Sequence, residues 1–311
     1  MESLKDLLRP PFANYDVVVY FGGGLFFIPF INRYLIQPSA MHWPDFRIEI
    51  GSKIANELVS GLSLLFSIYI LGHILAYLSS QLIEKLTDRI LGKISTAIII
   101  SAWASNRRRN EHVRALIWDR VKSIKADRAL FSTTVRLLFH LPVFPLYLFV
   151  FTVGIFGYYN TRVPQSVITA MRAKLNAIGI PDLRVGIRTK WFKPVEYFVM
   201  NRNSSATSRM YNYLVIGGLF RTLCFIFLSV LWVQIYFQIH FWLDAEWFLD
   251  PLMKNRLTHP ALFEYMIVTF VYMFCLFSYL KFQRRYAEEA IFAFVFGSDG
   301  TSALTAHPDE E

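Results

Sequence analysis

The run Leu58–Leu78 carries no Asp, Glu, Lys or Arg over 21 consecutive residues. A helix of that length matches a hydrocarbon layer about 30 Å thick. Lipid offers the backbone no hydrogen-bond partners, so only helices or closed barrels satisfy a chain that crosses it. Four further apolar runs follow the same logic. Tyr15–Ile31 is short and contains Gly22–Gly24, and Leu137–Tyr159 is uncharged but interrupted by Pro142 and Pro145. Thr222–Leu243 is aromatic at its far end, and Ala261–Leu280 holds Glu264 near its start. Composition agrees, because only 18% of residues are charged where a soluble domain carries about a quarter. The 29 Phe and 16 Tyr call for a surface that faces something other than water. The expected fold is therefore all-α: a multi-pass transmembrane helical bundle with amphipathic cytosolic helices.

Charge decides how many of the five runs cross. Lys and Arg number 2 before the first run, then 3, 12, 10 and 2 between successive runs, and 3 after the last. Five crossings would put 16 on each side, whereas a third run that leaves where it entered puts 27 against 5. Basic residues collect in cytoplasmic loops, which selects the second arrangement. Pro142 and Pro145 supply its physical cause, since each lacks an N–H and clashes with a preceding carbonyl. The expectation is four crossing helices, a re-entrant segment or hairpin over 137–159, and both termini cytoplasmic. The N-terminal stretch mixes acids with bases and shows no secretory signal pattern, and a bacterial inner membrane is the expected location.

Between the runs the organisation is helical. An N-terminal transmembrane pair spans 1–78, followed by basic cytosolic helices over 79–136 and a second basic region over 160–210. A C-terminal pair with a cytosolic helix covers 211–296, and 297–311 is expected to be disordered. Leu82, Ile83, Leu86 and Ile90 recur at three and four, continuing the second run as a helix. Ile94–Ala104 is apolar but too short to span. Val163–Ile178 reads as a helix with Pro164 in its first turn and Gly179 beyond its end. Its apolar stripe is Val167, Ile168, Met171 and Leu175. The Asn, Ser and Thr cluster near residues 203–207 reads as a loop. Arg221 precedes the fourth run, where it is expected to project into the cytosol or snorkel there.

The basic surface centres on Arg107, Arg108, Arg109 and Arg114, in a segment whose Val113, Leu116, Ile117, Val121 and Ile124 share one face. That pattern suits an anionic membrane surface or packing on the protein itself. The Arg107–His112 spacing resembles the Arg-x4-His motif of HEPN-type ribonucleases over six residues. Arg108 stands where that motif carries a small polar residue, and a basic helix start accounts for the stretch equally well.

Five residues form the candidate polar path. At helical spacing His73, Tyr77, Ser80 and Glu84 line up along the second run, and His140 precedes the break in the third. His73 and Ser80 are seven residues apart, about 10 Å along a helix axis, too far for a base to reach a nucleophile. Polar side chains in such a helix either hydrogen-bond neighbouring helices or line a watery path, and ionisable ones mark function. Arg284–Glu288 and Arg285–Glu289 read as ordinary i, i+4 pairs on a solvated helix end. Cys224 and Cys275 lie in apolar runs and act as small hydrophobes. No P-loop, dinucleotide fingerprint, GxSxG or HExxH occurs.

The function expected from sequence is a non-enzymatic, oligomeric pore-forming, gating or membrane-perturbing protein with a basic cytosolic face. The alternatives are an intramembrane or membrane-surface enzyme using His73, His112 or His140, and a scaffold that recruits a soluble cytosolic partner. Anionic lipid and further copies of the chain are the expected partners; nucleic acid, cofactors and metals are not expected.

Overall fold

A computed structural model describes residues 15–33, 53–90, 95, 130–144, 163–178, 192–243 and 262–297. All regular structure among the described residues is helical. The chain divides into two compact units. The first draws on residues 15–33, 53–88, 130–144, 215–243 and 262–281, and the second on 163–178, 192–214 and 282–297.

Helix α1 covers Asp16–Ile31 and opens with a wide π-type stretch over Asp16–Phe21. Helix α2 runs over Lys53–Ser79, widens again at Ser80–Glu84 and closes with Lys85–Ile90. Helix α3, Leu130–Phe139, stops at His140 and is followed by a single 3-10 turn over Leu141–Val143. The cause is local: Pro142 falls in the first turn after the break, where its missing N–H costs nothing. Val143 N donates to the His140 carbonyl at 3.1 Å, closing the tight turn. Pro145 and the rest of the expected re-entrant run lie outside the described residues.

Helix α4 is Gln165–Ala177, α5 is Phe192–Arg202, α6 is Ser204–Leu243 and α7 is Leu262–Phe296. Among the described residues three helices are long and apolar enough to cross a membrane: Glu57–Arg89 within α2, Ser204–Ile239 within α6, and α7. Helix α1 is a shorter apolar helix. Their outward faces are unlike those of a water-soluble protein. Leu58, Leu62, Leu65 and Phe66 stand exposed on α2, and Leu262, Phe263, Met266, Phe270 and Phe274 on α7. Contiguous apolar surface of this kind needs a non-aqueous neighbour.

In the first unit α1 and α2 run antiparallel. The Tyr20 ring meets His73, and further along Gly24 meets Ile68. Contact is backbone to backbone: a β-carbon at Gly72 would collide with the Tyr20 carbonyl, and one at Gly24 with the Ile68 carbonyl. Small residues permit such approach where lipid competes for every apolar side chain. Helix α6 joins the pair through Tyr15 on Gly218 and Gly23 on Thr222. At the opposite end of the pair Arg33 donates to Glu264 of α7 at 2.8 Å. Helix α3 follows α2 and α6 inward: Arg136 bonds the Gln81 carbonyl, and Phe139 stacks on Phe225 and accepts from Trp232 through its carbonyl.

The second unit holds a continuous apolar core. Val167, Ile168, Met171 and Leu175 of α4, the stripe read from the sequence, are all buried there. They pack with Val195 and Val199 of α5, Ala206 and Met210 of α6, and Tyr286, Ala290, Ile291 and Phe294 of α7. The Asn-Ser-Thr cluster corrects a sequence expectation, because it starts a helix instead of forming a loop. Asn203 Oδ1 accepts from Ala206 N at 3.0 Å, and Thr207 Oγ1 donates to the Asn203 carbonyl at 2.8 Å. Asn, Ser and Thr compete with the helix interior but satisfy its orphan amides at a start. One residue therefore separates α5 from α6. The last turns of α7 bring a second correction. Arg284 and Glu288 do pair, at 3.3 Å, but each side chain is only 14% exposed. Arg285 turns to Glu288 at 3.8 Å, and Glu289 instead takes Arg209 of α6 at 2.8 Å.

Candidate functional site

The polar residues of α2 separate into an inner cluster and an outer face. His73 lies in the inner cluster, its ring stacked on Tyr20 with centroids 3.6 Å apart and 23° between planes. Tyr69, one turn away, meets the same imidazole edge-on at 4.5 Å. Tyr15 and Tyr69 each meet Tyr20 edge-on, at 5.3 and 6.1 Å. The wide start of α1 serves this arrangement, since a π-type turn rotates side chains away from the α-helical register.

Ser80 and Glu84 bracket the second wide turn, at the end of α2 nearest Tyr15. Ser80 Oγ donates to Glu84 Oε2 at 3.0 Å, and that carboxylate forms an ion pair with Arg221 of α6. Arg221 Nε also donates to Ser79 Oγ at 3.3 Å, and Ser79 is fully buried. The Arg221 side chain is only 13% exposed, against 36% for Glu84. The Arg221 side chain, expected from sequence to project into the cytosol or snorkel there, packs against α2 inside the first unit. An arginine flanked by apolar residues stays inside when a carboxylate and a hydroxyl on the adjacent helix take up its donors. Thr87, one turn past Ile83, is buried and donates to the Ile83 and Glu84 carbonyls at 2.9 and 2.8 Å. The Arg221–Glu84 pair joins α2 and α6.

Tyr77 falls elsewhere: it is 64% exposed, on the outer face of α2. His140 is buried, and its Nδ1 shares a 2.7 Å hydrogen bond with the Tyr272 hydroxyl of α7. The structure therefore joins Ser80 to Glu84, sets His73 apart against Tyr20 and Tyr69, and turns His140 toward α7. Residues 107–114, the basic surface, lie outside the described residues, as does His112. Cys224 and Cys275 are buried and free. Among the described residues no three His, Cys, Asp or Glu side chains converge as a metal site.

Arg221 and Tyr20 are the members that sequence reasoning missed. A signal for Arg221 existed, a lone cation at the border of a long apolar run, but the carboxylate that holds it lies 137 residues earlier. Tyr20 carried no signal beyond its position in a Gly-rich helix. No family model matches the chain, and no curated protein and no solved structure does either.

Proposed function

We propose that this protein is a multi-pass membrane protein with four crossings (α1, α2, α6 and α7), both termini cytoplasmic, and a re-entrant third segment. The 27-to-5 division of basic residues supports that topology. So does the alternation of helix directions, with Tyr15, Glu84 and Arg221 at one end of the first unit and Arg33 and Glu264 at the other. The reach of α3 supports re-entry. Arg136 meets α2 near Glu84, and Phe139 meets α6 at Trp232, 11 residues past Arg221. That is about 16 Å of helix, roughly half the hydrocarbon thickness, before the turn at Pro142.

Within that topology the protein acts as a non-enzymatic, channel-like gating component that assembles from several copies. The observation that carries this reading is the Arg221–Glu84 pair, an ionic bond between two spanning helices beside the Tyr20–His73 stack. A charge pair with one buried partner is a poor source of net stability and a good latch between alternative packings. Backbone contact at Gly24 and Gly72 leaves no lumen between α1 and α2, which supports a conducting route elsewhere, here taken to run between copies. The basic segments receive the signal at the cytoplasmic surface.

Planar-bilayer recordings test the proposal. Wild type is expected to give discrete conductance steps, and His73→Leu, which removes the polar ring beneath the latch, to change open probability at least tenfold. Absence of current from wild type across voltage, pH and anionic-lipid content would contradict the pore reading.

A further inference from the structure

On the outer face of α2, two cations converge on one neutral residue. Gln81 lies in the wide turn of α2, and its side-chain oxygen accepts from Lys85 while its backbone carbonyl accepts from Arg136 Nε at 2.9 Å. Arg136 spends a second donor on Ser132 Oγ, at 2.6 Å. All three acceptors are uncharged. Glu84, the preceding carboxylate on α2, serves Arg221 and Ser80, and Asp88, three residues past Lys85, forms no ion pair with that lysine. Among the described residues neither Lys85 nor Arg136 has an acidic partner.

Helical spacing gives this spot an apolar continuation. Lys85, Gln81, Leu78 and Ile74 follow one another at four, three and four residues along a single strip of α2. Ile74 and Leu78 are exposed, with Tyr77 beside them. The strip thus passes from cationic Lys85 through Gln81 to apolar Leu78 and Ile74 within about 16 Å, the order in which a bilayer passes from phosphate to acyl chain. Across it, α3 offers exposed Val135 and Leu138.

We infer that Lys85 and Arg136 form a binding site for the phosphate of an anionic glycerophospholipid, whose acyl chain lies along Leu78 and Ile74. The site rests on the membrane topology proposed above, which puts both cations at the cytoplasmic headgroup level, where anionic lipid is found. Arg136 presents a planar fork of donors and Lys85 a mobile point charge, a pairing suited to phosphate oxygens at variable depth. A free phosphate would satisfy the cations but leave the apolar strip uncovered, so the commitment is to the lipid. The bound headgroup would tie α3 to α2 at the foot of the re-entrant segment.

Full-length protein extracted in detergent and titrated with lipid under native mass spectrometry tests the site. Palmitoyl-oleoyl phosphatidylglycerol is expected to bind about twentyfold more tightly than phosphatidylcholine of the same chains. Lys85→Gln should remove about fivefold of that preference, and Lys85→Gln/Arg136→Gln nearly all of it. Equal binding of the two lipids, unchanged preference in Lys85→Gln, or full displacement by inorganic phosphate would each overturn the proposal. Lys85 is exposed, so its single variant stays folded and decides the matter even where the double variant does not. Recovery of the protein from the soluble fraction of lysed cells would overturn the topology and the site together. A membrane-extracted protein that ignores headgroup charge overturns the site alone.

Discussion

Gly72→Ala is expected to destabilise the first unit by about 3 kcal/mol, while Gly61→Ala, eleven residues earlier on the same helix, changes stability by less than about 1 kcal/mol. The contrast follows from what each new methyl group would meet. At Gly61 there is open space, whereas at Gly72 the β-carbon runs into the Tyr20 carbonyl. A side chain in the way could rotate, but a backbone cannot, so α1 and α2 must separate. Separation would also pull Tyr20 off His73, because the stack depends on the same approach. Helix propensity opposes the loss, since alanine is favoured over glycine by about 1 kcal/mol; the steric term wins at Gly72 and is missing at Gly61. Denaturant unfolding in detergent micelles measures both. Equal midpoints for the two variants would mean that the α1–α2 contact is not backbone to backbone.

Glu84→Leu is expected to cost about 3 kcal/mol, and Arg221→Met only about 1 kcal/mol. The asymmetry comes from exposure. Removing Glu84 strands a guanidinium that is 13% exposed, while removing Arg221 leaves a carboxylate that is 36% exposed and keeps Ser80 as a donor. Loss of one partner of a fully buried pair costs about 3–5 kcal/mol, and an exposed pair contributes little, so the two variants fall near opposite ends of that scale. The double variant should be more stable than Glu84→Leu alone, because no charge is left stranded. A double variant whose loss equals the sum of the single losses would show that the two side chains are not coupled.

Periodic burial was the part of this fold most legible from residues alone. Val167, Ile168, Met171 and Leu175 share a stripe at helical spacing, and the same four are buried in the second unit. The helix stop near Pro142 was equally readable, because proline acts through its own ring and its missing N–H. Capping was harder to read. Asn203 and Thr207 carry both loop and helix-start propensity, and the choice rests on whether an amide lies within reach; that of Ala206 does. Pairing was hardest. The run at Arg284–Glu289 offers two i, i+4 partners, yet Glu289 leaves its own helix for Arg209. Arg221 and Glu84 are likewise joined only by the packing of α2 on α6. Helical spacing put Tyr77 in line with His73, but it could not foretell that α1 would cover His73 and leave Tyr77 on the outer face.

The proposed topology turns the chain back within residues 137–159, and labelling from one side of the membrane tests it most directly. Single cysteines at Ser39, Ser123 and Tyr197 report the segment after the first crossing and the two basic regions on either side of the third run. Cys224 and Cys275 are buried and stay silent toward the reagent. A membrane-impermeant maleimide applied to intact cells should label Ser39→Cys and should reach Ser123→Cys and Tyr197→Cys only after permeabilisation. Labelling that puts positions 123 and 197 on opposite sides would contradict the account, because the third run would then cross the bilayer.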